Sequence, residues 1–93
     1  MDDDLDSQAM DQILRRNRYG RLGFTLADEA YVVPVNYGYD GARIYGQTVE
    51  GTKVEGMRRN PNVALLVDEI EDAARWQSVL IQGTFVELKD RAE

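Results

Sequence analysis

The stretch IYGQTVEGTKVEGMRRNP, residues 44–61, holds one of only two lysines in a chain whose other cations are nine arginines. Gly51, Thr52 and Lys53 stand where a period-two run gives way to a helical one. A helix start presents unpaired N–H groups and about half a positive charge. Gly51 lets the backbone approach a ligand, Thr52 adds a hydroxyl, and Lys53 adds a compact cation. Together they make a phosphate cradle. The plainer reading is a surface lysine paired with nearby glutamates on a solvated helix, and charge alone favours it. Other chemistries are closed off. The chain has no cysteine and no histidine. Thiolate nucleophiles, disulfides, Cys/His zinc sites and imidazole-based triads are therefore excluded.

The elements that must position Lys53 are legible from periodicity. Residues 1–6, MDDDLD, read as a frayed tail of one small domain spanning residues 1–93. SQAMDQILRRN, capped by Asp6 or Ser7, places Met10, Ile13 and Leu14 on one helical face. RLGFTLA and YVVPVNY alternate as strands, with DEA between them as a turn. Asp40-Gly41 marks a hairpin before ARIYGQT. EGTKVEGMRRN predicts a short helix with Val54 and Met57 inward. NVALLVDEI is almost wholly apolar and predicts a buried strand, followed by the loop EDAAR and the long strand WQSVLIQGTFVEL. Gly83 within that strand suggests a bulge or bend. This order predicts a mainly β fold with short helices, a small antiparallel barrel. Pro34 falls mid-strand, where it has no N–H to give a ladder, and polar Asn36 shares its face. Either an opening beside this strand or an edge strand guarded by proline accounts for both.

The net charge is −6, from seventeen acids and eleven bases. Such a field disfavours nucleic acid and anionic membranes as partners. It fits an ordinary acidic protein or one adapted to high salt. No run is apolar enough to span a bilayer and no basic-then-apolar leader opens the chain, so a cytoplasmic location is expected.

ILRRNRYGRLGF, YVVPVNYGYDGARIYGQTVEGTKVEGMRRNPNVALLVDE and WQSVLIQGTFVEL resemble the pyridoxamine 5′-phosphate oxidase-like, flavin-binding split-barrel family, closest to its nitroimidazole-resistance branch. The resemblance runs from Ile13 to Leu88. It implies a six-stranded antiparallel split barrel that pairs as a two-fold homodimer, with FMN in grooves at the interface. It also implies two-electron chemistry on a small molecule, with a nicotinamide donor or oxygen as the other partner.

On this resemblance Lys53 grips the FMN phosphate beside Thr52. Relatives usually carry arginine where Thr52 stands, which calls for a second cation, such as Arg21 or Arg75. Val33, Pro34, Val35 and Asn36 match the segment whose backbone runs along the isoalloxazine ring; Asn36 reads equally well as a strand-end turn former. Tyr45, Gly46 and Gln47 match the strand leading into the cradle. Relatives commonly have histidine at Gln47, which can exchange hydrogen bonds but cannot serve as a base near neutral pH. Trp76 and Ser78 match a further flavin contact, although a lone tryptophan is more commonly a core or interface anchor. Relatives also continue past the last strand read here, so the sixth strand is in question. Two functions follow: an FMN-dependent oxidoreductase, or a split-barrel module that binds a flavin or another cofactor without catalysis. A nucleic-acid-binding barrel is disfavoured by the acidic surface and by the lack of a basic aromatic stripe.

Overall fold

Alternating apolar residues in the first half of the chain pair as a meander, and the later strands extend the same sheet across a helical crossover. The computed structural model describes residues 7–46 and 52–87. In chain order the elements are α1 (Ser7–Arg16), β1 (Tyr19–Leu26), β2 (Glu29–Tyr39), β3 (Ile44–Gly46), α2 (Thr52–Arg59), β4 (Asn62–Asp72) and β5 (Arg75–Thr84). The strands form one antiparallel sheet in the order β3-β2-β1-β4-β5. The expected mainly β, antiparallel architecture is therefore present. The described residues hold five strands; the sixth that the family resemblance implies is not among them.

Turn chemistry sets the hairpins and moves some expected boundaries. Ala27 and Asp28 both have positive φ, 54° and 67°. Two successive positive φ angles suit a two-residue hairpin turn, because they follow the twist of the flanking strands. The turn thus sits one residue earlier than expected, and Glu29 and Ala30 join β2. At the next hairpin Asp40 Oδ1 accepts from the N–H groups of Ala42 and Arg43, both at 2.8 Å. Gly41 beside it has φ 97°, a conformation glycine adopts without strain. Asp72 Oδ1 closes the β4–β5 turn in the same way, accepting from Ala74 and Arg75. The expected loop over residues 71–75 shrinks accordingly. The irregularity falls between Ile70 and Asp72, and Gly83 stays in regular register with Val63. A side chain at position 83 would meet open space, so neither packing nor a bulge accounts for that glycine.

One face of the sheet carries the core. Ile13 and Leu14 of α1 pack with Tyr37, Leu65, Val67 and Val79, all buried. α2 buries Val54 and Met57, the inward residues predicted for it, and seats against β1. There the backbones come close: a Cβ on Gly56 would lie 2.7 Å from the Thr25 carbonyl oxygen and 3.1 Å from Phe24 Cδ2.

Polar contacts hold α1 to the sheet edge and centre. The buried Tyr37 hydroxyl donates to the Leu14 carbonyl at 2.9 Å, and the Tyr39 hydroxyl donates to Asp11 at 2.8 Å. Arg15 lies over the Tyr39 ring, 5.3 Å from its centroid, while its Nε donates to Asp11. At the end of α1, Arg16 makes a two-pronged contact to Glu69 at 2.7 and 2.8 Å, and Asn17 donates to the same carboxylate at 2.6 Å. Donors on a carboxylate favour its charged form. Arg16 first, then Asn17, hold the Glu69 carboxyl below its ordinary value of 4.5, against the opposing effect of burial.

Gly56→Ala should destabilise the fold. Alanine ordinarily favours a helix interior over glycine by about 1 kcal/mol. Overpacking against an unyielding backbone carbonyl costs about 1–3 kcal/mol and should win. A lower urea midpoint is the expected result. Glu69 has a depressed native pKa, so its stabilisation is complete above the ordinary carboxylate range and is lost as pH falls through the native value. Glu69→Gln should therefore melt below the parent at neutral pH, and the difference should shrink as pH drops below 4.5, read by thermal melts across a pH series.

Candidate functional site

The second face of the sheet is left open. Side chains alternate along each strand, so the residues opposite the core form one continuous surface. Tyr19, Arg21, Gly23 and Thr25 of β1 belong to it, with Val32, Pro34 and Asn36 of β2. Ala64, Leu66, Asp68 and Ile70 of β4 continue it, and Trp76, Ser78 and Leu80 of β5 complete it. Much of it is apolar and exposed: Val32 68%, Leu80 63%, Ile70 67% and Trp76 61%. A protein surface seldom leaves so many large apolar side chains in one sheet face unless something covers them.

The charge on this face is sparse for a chain that is 30% charged. Among the residues just named, Arg21 and Asp68 alone are charged, and they pair with each other at 3.4 Å. They lie diagonally across the two neighbouring strands at the middle of the face, Arg21 between Pro34 and Leu66 and Asp68 opposite Ser78.

Two shallow grooves lie on this face. One, of about 390 Å³, is lined by Leu66, Asp68, Ile70, Trp76 and Ser78. The other, of about 630 Å³, runs over Gly23, Ala30, Val32 and Ala64, with Thr25, Asn62, Gln82 and Thr84 as uncharged hydrogen-bonding groups. The larger has no charged residue along its lining, and the smaller has only Asp68 and Asp72.

The residues singled out from the sequence divide between the two faces. Pro34, Asn36, Trp76 and Ser78 lie on the open face. Val33 and Val35 lie on the core face, and Val35 packs against the main cluster. Only their backbone is available to a ligand on the open side. At Pro34, β2 has β1 on one side and no described strand on the other, since β3 pairs only with Tyr37, Gly38 and Tyr39. Tyr45 pairs opposite Gly38, and its hydroxyl donates to Asp40 at 3.0 Å in the hairpin turn. Thr52 opens α2 with Lys53 next to it. Gln47, and the side chains of Thr52 and Lys53, lie outside the described residues. Of the two candidate second cations, Arg21 is on the open face and Arg75 pairs with Glu71 at 3.4 Å at the far hairpin.

Strand order also separates the candidates. β2 and β5 are three strand spacings apart, roughly 14 Å across the sheet. Within one chain, the Pro34–Asn36 group and the Trp76–Ser78 group therefore do not converge on a single small ring. Leu66, Ile70, Leu80 and Asp68 were not singled out from the sequence, and Arg21 was singled out only as a second cation for a phosphate. Their signal was present: both parities of NVALLVDEI and WQSVLIQ are apolar, which a sheet covered on one face does not require.

A family model described as pyridoxamine 5′-phosphate oxidase matches residues 6–93. An uncharacterised protein from Rhizobium meliloti is 37% identical over 68 residues, covering 73% of this chain and 45% of its own length. A crystal structure of an FAD-binding protein from Mesorhizobium loti is 38% identical with a TM-score of 0.87, covering 95% of this chain and 65% of the other. A candidate 5-nitroimidazole antibiotic resistance protein from Bacteroides thetaiotaomicron is 27% identical with a TM-score of 0.79, covering 91% of this chain and 57% of the other. The chain thus spans less than half of the Rhizobium relative and about two thirds of the Mesorhizobium one. The antiparallel split-barrel architecture expected from the sequence is borne out by these likenesses.

Trp76, the sole tryptophan, reports on whether the open face is covered. Its emission should move to the blue, toward that of a buried indole, as protein concentration rises. Emission that stays water-like at every concentration would show the face bare.

Proposed function

The chain belongs to the pyridoxamine 5′-phosphate oxidase family, and from that premise we propose that it is a flavin-binding split-barrel protein that reduces or oxidises a small molecule. The observation that carries the reading is the open face: neutral, apolar and grooved, beside a β2 segment with no described neighbour on its outer side. A flat heterocycle suits such a surface, because its rings bury apolar area while its edge atoms meet backbone N–H and C=O groups. FMN is the proposed cofactor. FAD has the same ring, ribityl chain and first phosphate, and the Mesorhizobium relative is described as FAD-binding.

Lys53 and Thr52 hold the phosphate at the start of α2, where helix N–H groups add to the lysine charge. The backbone of residues 33–36 borders the ring, and Asn36 offers an amide to its polar edge. Tyr45 and Gln47 shape the substrate side. The flavin supplies hydride or electron transfer, and a nicotinamide donor suits that chemistry. Trp76 and Ser78 lie too far from β2 to border the same ring within one chain. We therefore place them on the flavin bound beside β2 of a second copy, in a two-fold dimer. With no histidine in the chain, protons move through water or substrate and not through imidazole. That absence also favours a second reading, a module that binds flavin without turnover.

Purified protein should take up FMN or FAD, turn yellow, and bleach with a nicotinamide donor. Stable flavin binding with no turnover over a panel of donors and acceptors would select the second reading. Protein that binds neither flavin would overturn both. Lys53→Ala should weaken FMN affinity by about 1.5–3 kcal/mol, the range for a hydrogen bond to a charged group, measured by fluorescence titration. Unchanged affinity would place the phosphate elsewhere.

A further inference from the structure

We infer that Arg21 and Asp68 set the register of self-association, Arg21 of each copy pairing across the two-fold axis with the aspartate of the other. This rests on the dimer reading above and adds to it which residues meet at its centre. The occupant of the open face is a second copy of this chain, and charge is the reason. In an isologous interface the same patch meets itself, so residues at the middle of the patch lie near the axis and face their own counterparts. β1 is the central strand of five, and Arg21 sits on it with Pro34 to one side and Leu66 to the other. An arginine alone at that place would face another arginine. An acidic partner beside it makes the centre self-complementary: two antiparallel Arg–Asp pairs brought together form an alternating square of four charges.

The loose internal contact fits this role. At 3.4 Å it is longer than the 2.7 Å of the Arg16–Glu69 and Arg58–Glu87 pairs elsewhere on the chain. Arg21 donates through one terminal nitrogen, and its side chain is 60% exposed. It therefore has donors to offer across an interface. Around it the face offers Leu66, Leu80, Ile70 and Val32, apolar surface that any covering layer removes from water. Apolar area alone would allow the two sheets to slide; a buried charge facing a like charge is strongly unfavourable, which selects one alignment.

The test is charge reversal with complementation. Arg21→Asp places two acids at the centre, and Asp68→Arg places two bases there. Each variant, kept only if its circular dichroism matches the parent, should self-associate at least about tenfold more weakly, measured by analytical ultracentrifugation with and without FMN. Mixed in equal amounts, the two should form a heterodimer as tight as the parent dimer, because all-acidic and all-basic centres then meet. Parent-like homodimers of either variant, or a mixture that fails to associate, would overturn the inference and leave the dimer standing. A parent protein that stays monomeric at all concentrations, with or without flavin, would instead overturn the dimer reading itself.

Discussion

A sheet has two faces, and the two helices among the described residues cover one of them. Everything notable about the molecule follows from that constraint. The covered side gathers the buried residues of α1, β2, β4 and β5 into one cluster and leaves no buried polar side chain unpaired among the described residues. The uncovered side keeps the composition of an interior, with large aliphatic side chains, small residues and little charge, yet faces outward in the single chain. Such a surface is incomplete by the rules that govern sheets, because it combines the composition of a buried layer with the exposure of an outer one. A layer supplied from outside resolves the mismatch, and a split barrel with a cofactor between two copies is one arrangement that does so.

Much of the fold was legible in local patterns. Period-two alternation over residues 21–26 and 31–37, the Asp40-Gly41 turn, and helical spacing of Ile13 and Leu14 each point to the element that forms. These signals survive because the residues that define them pack against near neighbours in sequence. The misplacements came where longer-range geometry decides. Ala27 carries a positive φ that its type does not advertise, so the first turn read one residue late. Gly83 looked like a bend and is regular, while the real irregularity sits in an acidic stretch with no glycine. β4 read as buried on both sides because composition reports what a surface is suited to touch, and not whether the chain itself supplies the contact.

The candidate site was legible to a smaller degree, for a related reason. Pro34, Asn36, Trp76 and Ser78 do share one face, but nothing in their spacing says that β1 and β4 come between them. Pairing of β1 with β4 joins residues more than forty positions apart, as between Arg21 and Leu66, and no local rule registers it. Asp68 escapes sequence reading in the same way, since an aspartate in an apolar run looks like an ordinary solvated charge, and Arg21, read as a candidate phosphate cation, gives no local sign of its pairing with it. Family resemblance carried the reading of Lys53 beyond what its own chemistry warranted, whereas the histidine count bore directly on mechanism without any structure.

The seat of Gly56 on β1 has a mechanical implication. Any side chain there would meet the Thr25 carbonyl, so the close seat of α2 on β1 depends on position 56 carrying none. Thr52 is one helical turn upstream, so the place where the helix begins is indexed to β1 however the connecting residues 47–51 are spelled. The start of the helix is thereby set by a contact made within α2 itself, four residues on.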